Sequence, residues 1–226
     1  MKALRLLIMV VLVWGTAAHA AVIFSNGGIG NNGFISDTDF PPNGQFSADD
    51  FILATGANTI TGIQWTGSYF PGNTPQAADV FTIQIYADVA GAPAAGAPLL
   101  TLPIGNPGRT DTGVNTLAGD DIFAYSVNVA PIVVAAGTRF WLSIFNNTSV
   151  DTNDNWFWTI QDGAGNSFTR TDMAGAWSQI NNRHDFTLIG TVVPEPSTLA
   201  LLLIGGIGLL SCRRNARARV FHAYIG

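Results

Sequence analysis

Asp79-Val-Phe-Thr-Ile-Gln-Ile-Tyr-Ala87 alternates apolar and polar side chains along its length. Phe81, Ile83 and Ile85 fall on one side, and Thr82 and Gln84 on the other. That two-residue repeat belongs to a strand with one buried face. Thr138-Arg-Phe-Trp-Leu-Ser-Ile-Phe145 repeats it, with Phe140, Leu142 and Ile144 inward and Trp141 on the opposite face. Asp185-Phe-Thr-Leu-Ile-Gly-Thr-Val192 puts Phe186 and Leu188 together. Further strands are expected at 22–25, 48–54, 59–66, 99–103, 122–129, 132–134, 155–161 and 167–169.

Turn formers separate these segments: Asn26-Gly-Gly, Pro41-Pro-Asn-Gly, Pro71-Gly-Asn, Gly105-Asn-Pro-Gly, Ala136-Gly, Asp162-Gly-Ala-Gly and Ala174-Gly. Gly supplies left-handed backbone, Pro a preset φ, and Asn and Asp local hydrogen bonds. No amphipathic helical period interrupts them. The expectation is an all-β domain over 21–192, a two-sheet antiparallel β-sandwich of jelly-roll-like form. The Ala/Gly/Pro-rich stretch 87–98 reads as a surface loop, and Tyr69 and Phe70 are also expected in a loop.

Charge narrows the function. Arg109, Arg139, Arg170 and Arg183 stand against fourteen Asp within 21–192, which leaves that segment about ten charges negative although the whole chain carries −5. The segment has no Lys, Glu or Cys. An acidic surface repels phosphate backbones, so nucleic acid is not an expected partner. Without disulfides, the apolar core alone must hold the domain.

The two ends have a different character. Lys2 and Arg5 precede an apolar run from Leu6 to Trp14, and Ala18-His19-Ala20 follows with small residues at the right spacing for cleavage. This order reads as a signal peptide over 1–20. At the other end Leu199-Ala-Leu-Leu-Leu-Ile-Gly-Gly-Ile-Gly-Leu-Leu210 carries no charge. With its neighbours it makes a transmembrane helix at about 197–212, flanked by Arg213 and Arg214. Arg217 and Arg219 lie in the tail 216–226, and the positive-inside rule puts that tail in the cytoplasm and the main domain outside.

Val193-Pro194-Glu195-Pro196-Ser197-Thr198, the apolar span and the arginine pair together resemble the PEP-CTERM sorting signal of Gram-negative bacteria, also known as the ice-binding protein C-terminal motif. The resemblance covers 193–215. One departure is the extension from 215 to 226. The resemblance implies an exosortase substrate: Pro194, Glu195 and Pro196 form the sorting triplet, and a membrane transpeptidase-like enzyme removes the tail. It implies export, anchoring in the inner membrane through the C-terminus, and transfer to the cell surface or extracellular matrix. Extracellular polysaccharide is then an expected neighbour. The prolines suit recognition physically, because each resists helix and keeps the triplet extended. The order of segments between the two ends is similar to β-domains that accompany these signals, which speaks to fold and not to activity.

Catalytic signals are poor. The segment 21–192 has one His, His184, no nucleophile elbow, and no cofactor motif. Fourteen Asp offer many arbitrary glycosidase pairs, and none stands out. His184 is expected as a surface or capping residue. No enzyme is expected, and no cofactor apart from a candidate calcium ion. Asp151-Thr-Asn153-Asp-Asn155 presents oxygen ligands at alternate positions. Trp156 occupies the position where an EF-hand needs Gly, and Asp162 lies beyond an expected strand, so an EF-hand is excluded. A looser site using Asp151, Asn153 and Asp154 stays open. Asp37/Asp39, Asp49/Asp50 and Asp120/Asp121 are expected at solvated strand and turn ends. Trp156 and Trp158 share one face and belong in the core. Trp141, Tyr69 and Phe70 are the candidate rings for stacking on sugar. The leading expectation is a non-catalytic envelope or matrix protein, and the alternative is a carbohydrate-binding module stabilised by calcium.

Overall fold

The structure is a computed structural model that describes residues 19–161 and 165–192, and every regular element among them is a strand. In chain order these are β1 (His19–Ser25), β2 (Asn32–Ile35), β3 (Phe46–Ile52), β4 (Ala57–Phe70), β5 (Phe81–Val89), β6 (Ala92–Pro93), β7 (Leu100–Gly105), β8 (Thr110–Asn115), β9 (Asp121–Val133), β10 (Arg139–Phe145), β11 (Asn155–Gln161), β12 (Ser167–Arg170), β13 (Ser178–Gln179), β14 (Arg183–His184) and β15 (Phe186–Val192). The three alternating stretches that opened the sequence reading became β5, β10 and β15.

The strands form two curled antiparallel sheets. β4 is the spine of the larger one. β9 pairs along one edge of β4, while β15 and then β11 share the other. β1 extends the sheet beyond β15, β8 beyond β9, and β2 beyond β11. The smaller sheet runs β13-β12-β3-β10-β5-β7, with β6 on the end of β5.

Between the sheets lies the main core. Ile63, Trp65, Tyr125, Trp156, Trp158 and Phe186 come from the larger sheet, and Phe51, Phe81, Ile83, Ile85, Leu142 and Ile144 from the smaller. Trp65 stacks on Tyr125 at 5.5 Å between centroids, and Phe81 meets Trp156 edge-on at 5.0 Å. Truncating one such ring to Ala costs about 3–5 kcal/mol. Trp156 and Trp158 are fully buried, as their shared face predicts.

Trp141 is a correction. It points away from the main core as expected, yet it is fully buried. Phe168 packs against it edge-on, Ala48, Tyr86 and Trp177 complete the cover, and its Nε1–H donates to Asp88 at 2.9 Å. Above this second apolar layer Arg170 lies 4.3 Å from the Trp177 ring centroid and donates to the Tyr86 hydroxyl at 2.6 Å. The chain after β12 folds over the outer face of the smaller sheet, so Trp141 offers no platform to a ligand. Tyr69 is likewise buried on β4 and not in a loop, whereas Phe70 is exposed.

Other expectations shift by a few residues. The presumed loop 87–98 contains the end of β5, a two-residue turn and β6. Ala90 and Gly91 both have positive φ, the geometry of a tight hairpin. The segments 122–129 and 132–134 merge into β9, whose ladder with β4 shifts register around Pro131, where no ladder donor is needed. The strand β1 starts at His19, two residues ahead of the expected mature start.

The registers sort the loops to two ends. Val192 pairs with Ala57, Val133 with Thr59, and Arg139 with Ile52, so loops 53–56, 90–99 and 134–138 gather where β15 ends. Phe70 pairs with Asn155 and Ile122 with Ser68, and Asp37 bridges Asn146. Loops 36–45, 71–80, 116–120 and 146–154 therefore gather at the opposite end.

Candidate functional site

On the larger sheet Gln64, Thr66, Ser126 and Thr187 alternate with the inward Trp65, Tyr125 and Phe186, so they face outward. They floor a groove of about 510 Å³, walled by residues 27–29 and 107–110. That volume falls within the range of small-ligand sites.

Asp185 lies at the groove's inner edge, where β11 gives way to β15 along β4. Its N–H donates to the Thr159 carbonyl at 3.0 Å, and its own carbonyl accepts from Trp158 Nε1 at 2.9 Å. The Thr66 hydroxyl contacts that of Thr159 and donates to Asp185 Oδ2. Burial raises the Asp185 carboxyl above its ordinary value, and the Thr66 hydrogen bond opposes the shift. Among the described residues no protein donor reaches Oδ1. The groove thus holds one constrained carboxyl among amide and hydroxyl groups, an arrangement that suits a neutral, hydroxyl-rich ligand. The alternation of Gln64 and Thr66 with Ile63 and Trp65 was visible in the sequence. Their convergence with Ser126, Thr187 and Asp185 was not, because it depends on strands far apart in the chain.

The acidic residues mostly build structure. Asp79 is buried beneath Arg109, whose Nη1 lies 3.0 Å from its Oδ2. Tyr69 donates to Asp79 Oδ1, and Asn146 Nδ2 donates to the same oxygen at 3.0 Å. Arg109 also reaches the Gln76 carbonyl at 2.8 Å and lies over the rings of Tyr69 and Phe123. Its charge is committed to this network, so it brings no free cation to the groove.

The solvated placement expected for Asp37 and Asp49 is overturned, since both are buried. Asp37 accepts from Asp39 N at 2.9 Å, Thr148 Oγ1 at 2.9 Å and Trp156 N at 2.7 Å. It ties the turn after β2 to the start of β11, although burial still raises its carboxyl. Asp49 accepts from the backbone N–H groups of Asp50 and His184, and burial pushes its carboxyl up to about 8. Its neighbour Asp50 pairs with Arg139 at 2.9 Å. Asp120 is buried as well and binds Thr116. Asp37 and Asp49 thus serve as acceptors for backbone N–H groups of Asp39, Trp156, Asp50 and His184, donors that need a partner once buried.

His184 is not a surface residue. It is fully buried, stacks on Trp158 at 4.4 Å and 25°, and has no hydrogen-bond partner at either ring nitrogen. Burial pushes its imidazole down to about 3, so it stays neutral.

Of the candidate calcium ligands, Asp154 is buried and committed. Its Oδ1 accepts from Gly72 N, and its Oδ2 from Thr74 N at 2.7 Å and Thr74 Oγ1 at 2.9 Å. Asn153 turns its amide nitrogen to Thr74 Oγ1 at 3.0 Å, and Asp151 is half-buried with its N–H on the Thr148 carbonyl. The three belong to one loop, in which Asp154 and Asn153 both bond to Thr74. Among the described residues no group of three or more His, Cys, Asp or Glu is placed to hold a metal ion. Pro194, Glu195, Pro196, Arg213, Arg214 and Asp162 lie outside the described residues, as do residues 1–18 of the expected signal peptide and the expected transmembrane helix. Among the described residues no helix is long and apolar enough to cross a membrane.

No curated protein matches the chain. Among solved structures it is similar to the cysteine protease and lectin-like domains of Cwp84, a surface layer associated protein of Clostridium difficile, with 7% identity and a TM-score of 0.46. That similarity covers 67% of this chain and 33% of the other, so the chain spans about a third of that structure's length. The family model of the PEP-CTERM protein-sorting motif matches residues 192–215. The match agrees with the sorting motif read from the sequence at residues 193–215.

Proposed function

We propose that this is an exported, surface-sorted protein of a Gram-negative envelope or extracellular matrix, and that its β-domain is structural or adhesive and performs no catalysis. The sorting motif at 192–215 carries the reading. In this reading residues 1–20 direct export, an exosortase-type enzyme acts at Pro194, Glu195 and Pro196, and the span with Arg213 and Arg214 holds the chain in the inner membrane beforehand. The domain between is read as a jelly-roll-like sandwich, because the order β1-β15-β4-β9 facing β3-β10-β5-β7 has that fold's interleaved connectivity. His184 supports the non-catalytic reading, since a fully buried, neutral imidazole cannot take a proton from a substrate. The test compares surface display of the full chain with one lacking 194–226. Equal arrival of both at the surface overturns it.

A second reading, a carbohydrate-binding module, is favoured by the groove at Gln64, Thr66, Ser126, Asp185 and Thr187. Its hydroxyl, amide and carboxyl groups match the hydrogen-bonding needs of sugar hydroxyls. A glycan array run with the parent and with Asp185→Asn tests it. Binding that the substitution abolishes supports the reading, and no binding leaves the structural role alone.

A further inference from the structure

The end of the domain where β15 stops differs in kind from the far end. A groove of about 400 Å³ opens there between β7 and β9, and every side chain lining it is apolar, including Leu99, Leu100, Leu102, Ile132, Val133 and Phe140. Leu99 is 63% exposed and Val133 71% exposed. The loops 53–56, 90–99 and 134–138 around it contain no charged residue. Nearby charges are Asp50, Asp88 and Arg139, of which Asp50 and Arg139 form an ion pair. At the far end stand Asp37, Asp39, Asp120, Asp121, Asp151 and Asp154. Exposed apolar residues occur there too, Leu117 and Val150 among them, but they sit among those carboxylates. Charge, more than greasiness, separates the two ends.

Chain connectivity says which end meets the membrane. Val192 pairs with Ala57, and Val133 pairs with Thr59 on the other side of β4. Two strand spacings, roughly 10 Å, separate their ladders. From Val192 to the expected start of the span at 197, the chain reaches at most about 17 Å. The apolar groove is therefore tethered close to the bilayer. β4 has fourteen residues, which puts the acidic end up to roughly 45 Å away, several Debye lengths at physiological salt. Anionic headgroups repel that end least when it points outward.

We propose that the charge-free end docks on the lipid surface, with Leu99 and Val133 entering the headgroup and upper acyl region before the chain is released. This rests on the reading of 197–212 as a membrane anchor. It adds that the folded domain does not float on its tether but lies against the bilayer by one end. Apolar burial drives such contact, and the absence of charge at this end removes the penalty for it.

The experiment uses the full chain with Cys212→Ser, reconstituted in vesicles of phosphatidylethanolamine and phosphatidylglycerol. A single environment-sensitive fluorophore is attached at Leu99→Cys, Val133→Cys, Leu117→Cys or Val150→Cys. These four positions are all exposed, so the labels do not burden the core. Headgroup-nitroxide lipid is expected to quench the Leu99 and Val133 labels, whose emission shifts to the blue, and to spare those at Leu117 and Val150. Equal quenching at all four, with the chain still floating with vesicles, overturns the docking while leaving the anchor intact. Labels at 99 and 133 that are blue-shifted but unquenched mean that protein fills the groove, either the C-terminal run or a second copy, and this also overturns it. A chain that fails to float with vesicles removes the anchor reading and the docking together.

Discussion

His19 and Val192 face each other across the β1–β15 ladder, so the two ends of the described domain leave it side by side. Both targeting segments expected from the sequence are attached at that point. Cleavage after Ala20 removes the His19–Val192 and Ala20–Thr191 pairs and leaves those from Ala21–Gly190 to Ser25–Thr187. A chain starting at Ala21 is expected to be less stable than one starting at His19 by about 1–2 kcal/mol, the worth of one or two ladder hydrogen bonds. Thermal melts of the two forms measure it. A loss several times larger means the first two residues hold more than an edge.

Gly67 leaves its space to Trp156. A Cβ built on Gly67 would sit 2.3 Å from the Trp156 ring, which is itself fully buried. Gly67→Ala is expected to destabilise the domain by roughly 1–3 kcal/mol through overpacking. Urea unfolding, with Trp fluorescence as the probe, reads the change. Unchanged stability would mean that the Trp156 ring can shift at no cost.

Asp49 and His184 bend stability in opposite directions with pH. Burial holds the Asp49 carboxyl at about 8 and the His184 imidazole at about 3. In an unfolded chain the same groups titrate near ~4 and ~6.5. The Asp49 contribution is whole below ~4 and is lost as pH rises through about 8. The His184 contribution is whole above ~6.5 and is lost as pH falls towards about 3. Between ~4 and ~6.5 the two slopes offset each other, and from ~6.5 to about 8 only that of Asp49 remains. Asp37, Asp50 and Asp185, also raised by burial, act in the same sense as Asp49. Asp49→Asn is expected to remove up to about 2 kcal/mol of the decline between pH 6.5 and 8. Denaturant curves across that window decide it, and parallel pH profiles for parent and variant would show that Asp49 is ionised in the fold.

Breaking the Arg109–Asp79 pair strands a carboxylate with no exposed surface of its own. Arg109→Met is expected to cost roughly 3 kcal/mol, at the low end for buried pairs because Arg109 is partly open to water. The double variant Asp79→Asn/Arg109→Met should lose less than the two single losses added together, since the unpaired charge is then gone. Additive losses would show that the two groups do not interact.

Asp154 holds the loop 72–74 by three donors, a task that needs no cation. Asp154→Ala is expected to cost about 1–3 kcal/mol, the penalty for stranding buried donors, by the same amount with calcium or with chelator. Melting in both buffers tests it. A calcium-dependent rise in the parent that vanishes in the variant would establish the looser metal site.

What the sequence determined by itself was local or contiguous. Period-two alternation at 79–87, 138–145 and 185–192 set the strands and their inward faces, because a strand's side chains must alternate. The sorting motif was legible because all its parts lie together in one short stretch. Polar β2 and β8 escaped because their residues lack that alternation: Asn32-Gly-Phe-Ile35 has Gly in place of a side chain, and Thr110-Asp-Thr-Gly-Val-Asn115 is an edge exposed on most of its length. Only the tertiary structure decided which faces became interior. Trp141 was outward in its own strand, and became buried when the chain after β12 returned to cover it. Asp37 and Asp49 looked like solvated turn residues, and became buried acceptors for donors contributed by β11 and β14. Their burial is set by partners more than a hundred residues away, and no local pattern encodes such a meeting. The two unlike ends of the domain arise in the same way, from the pairing registers that gather separate loops.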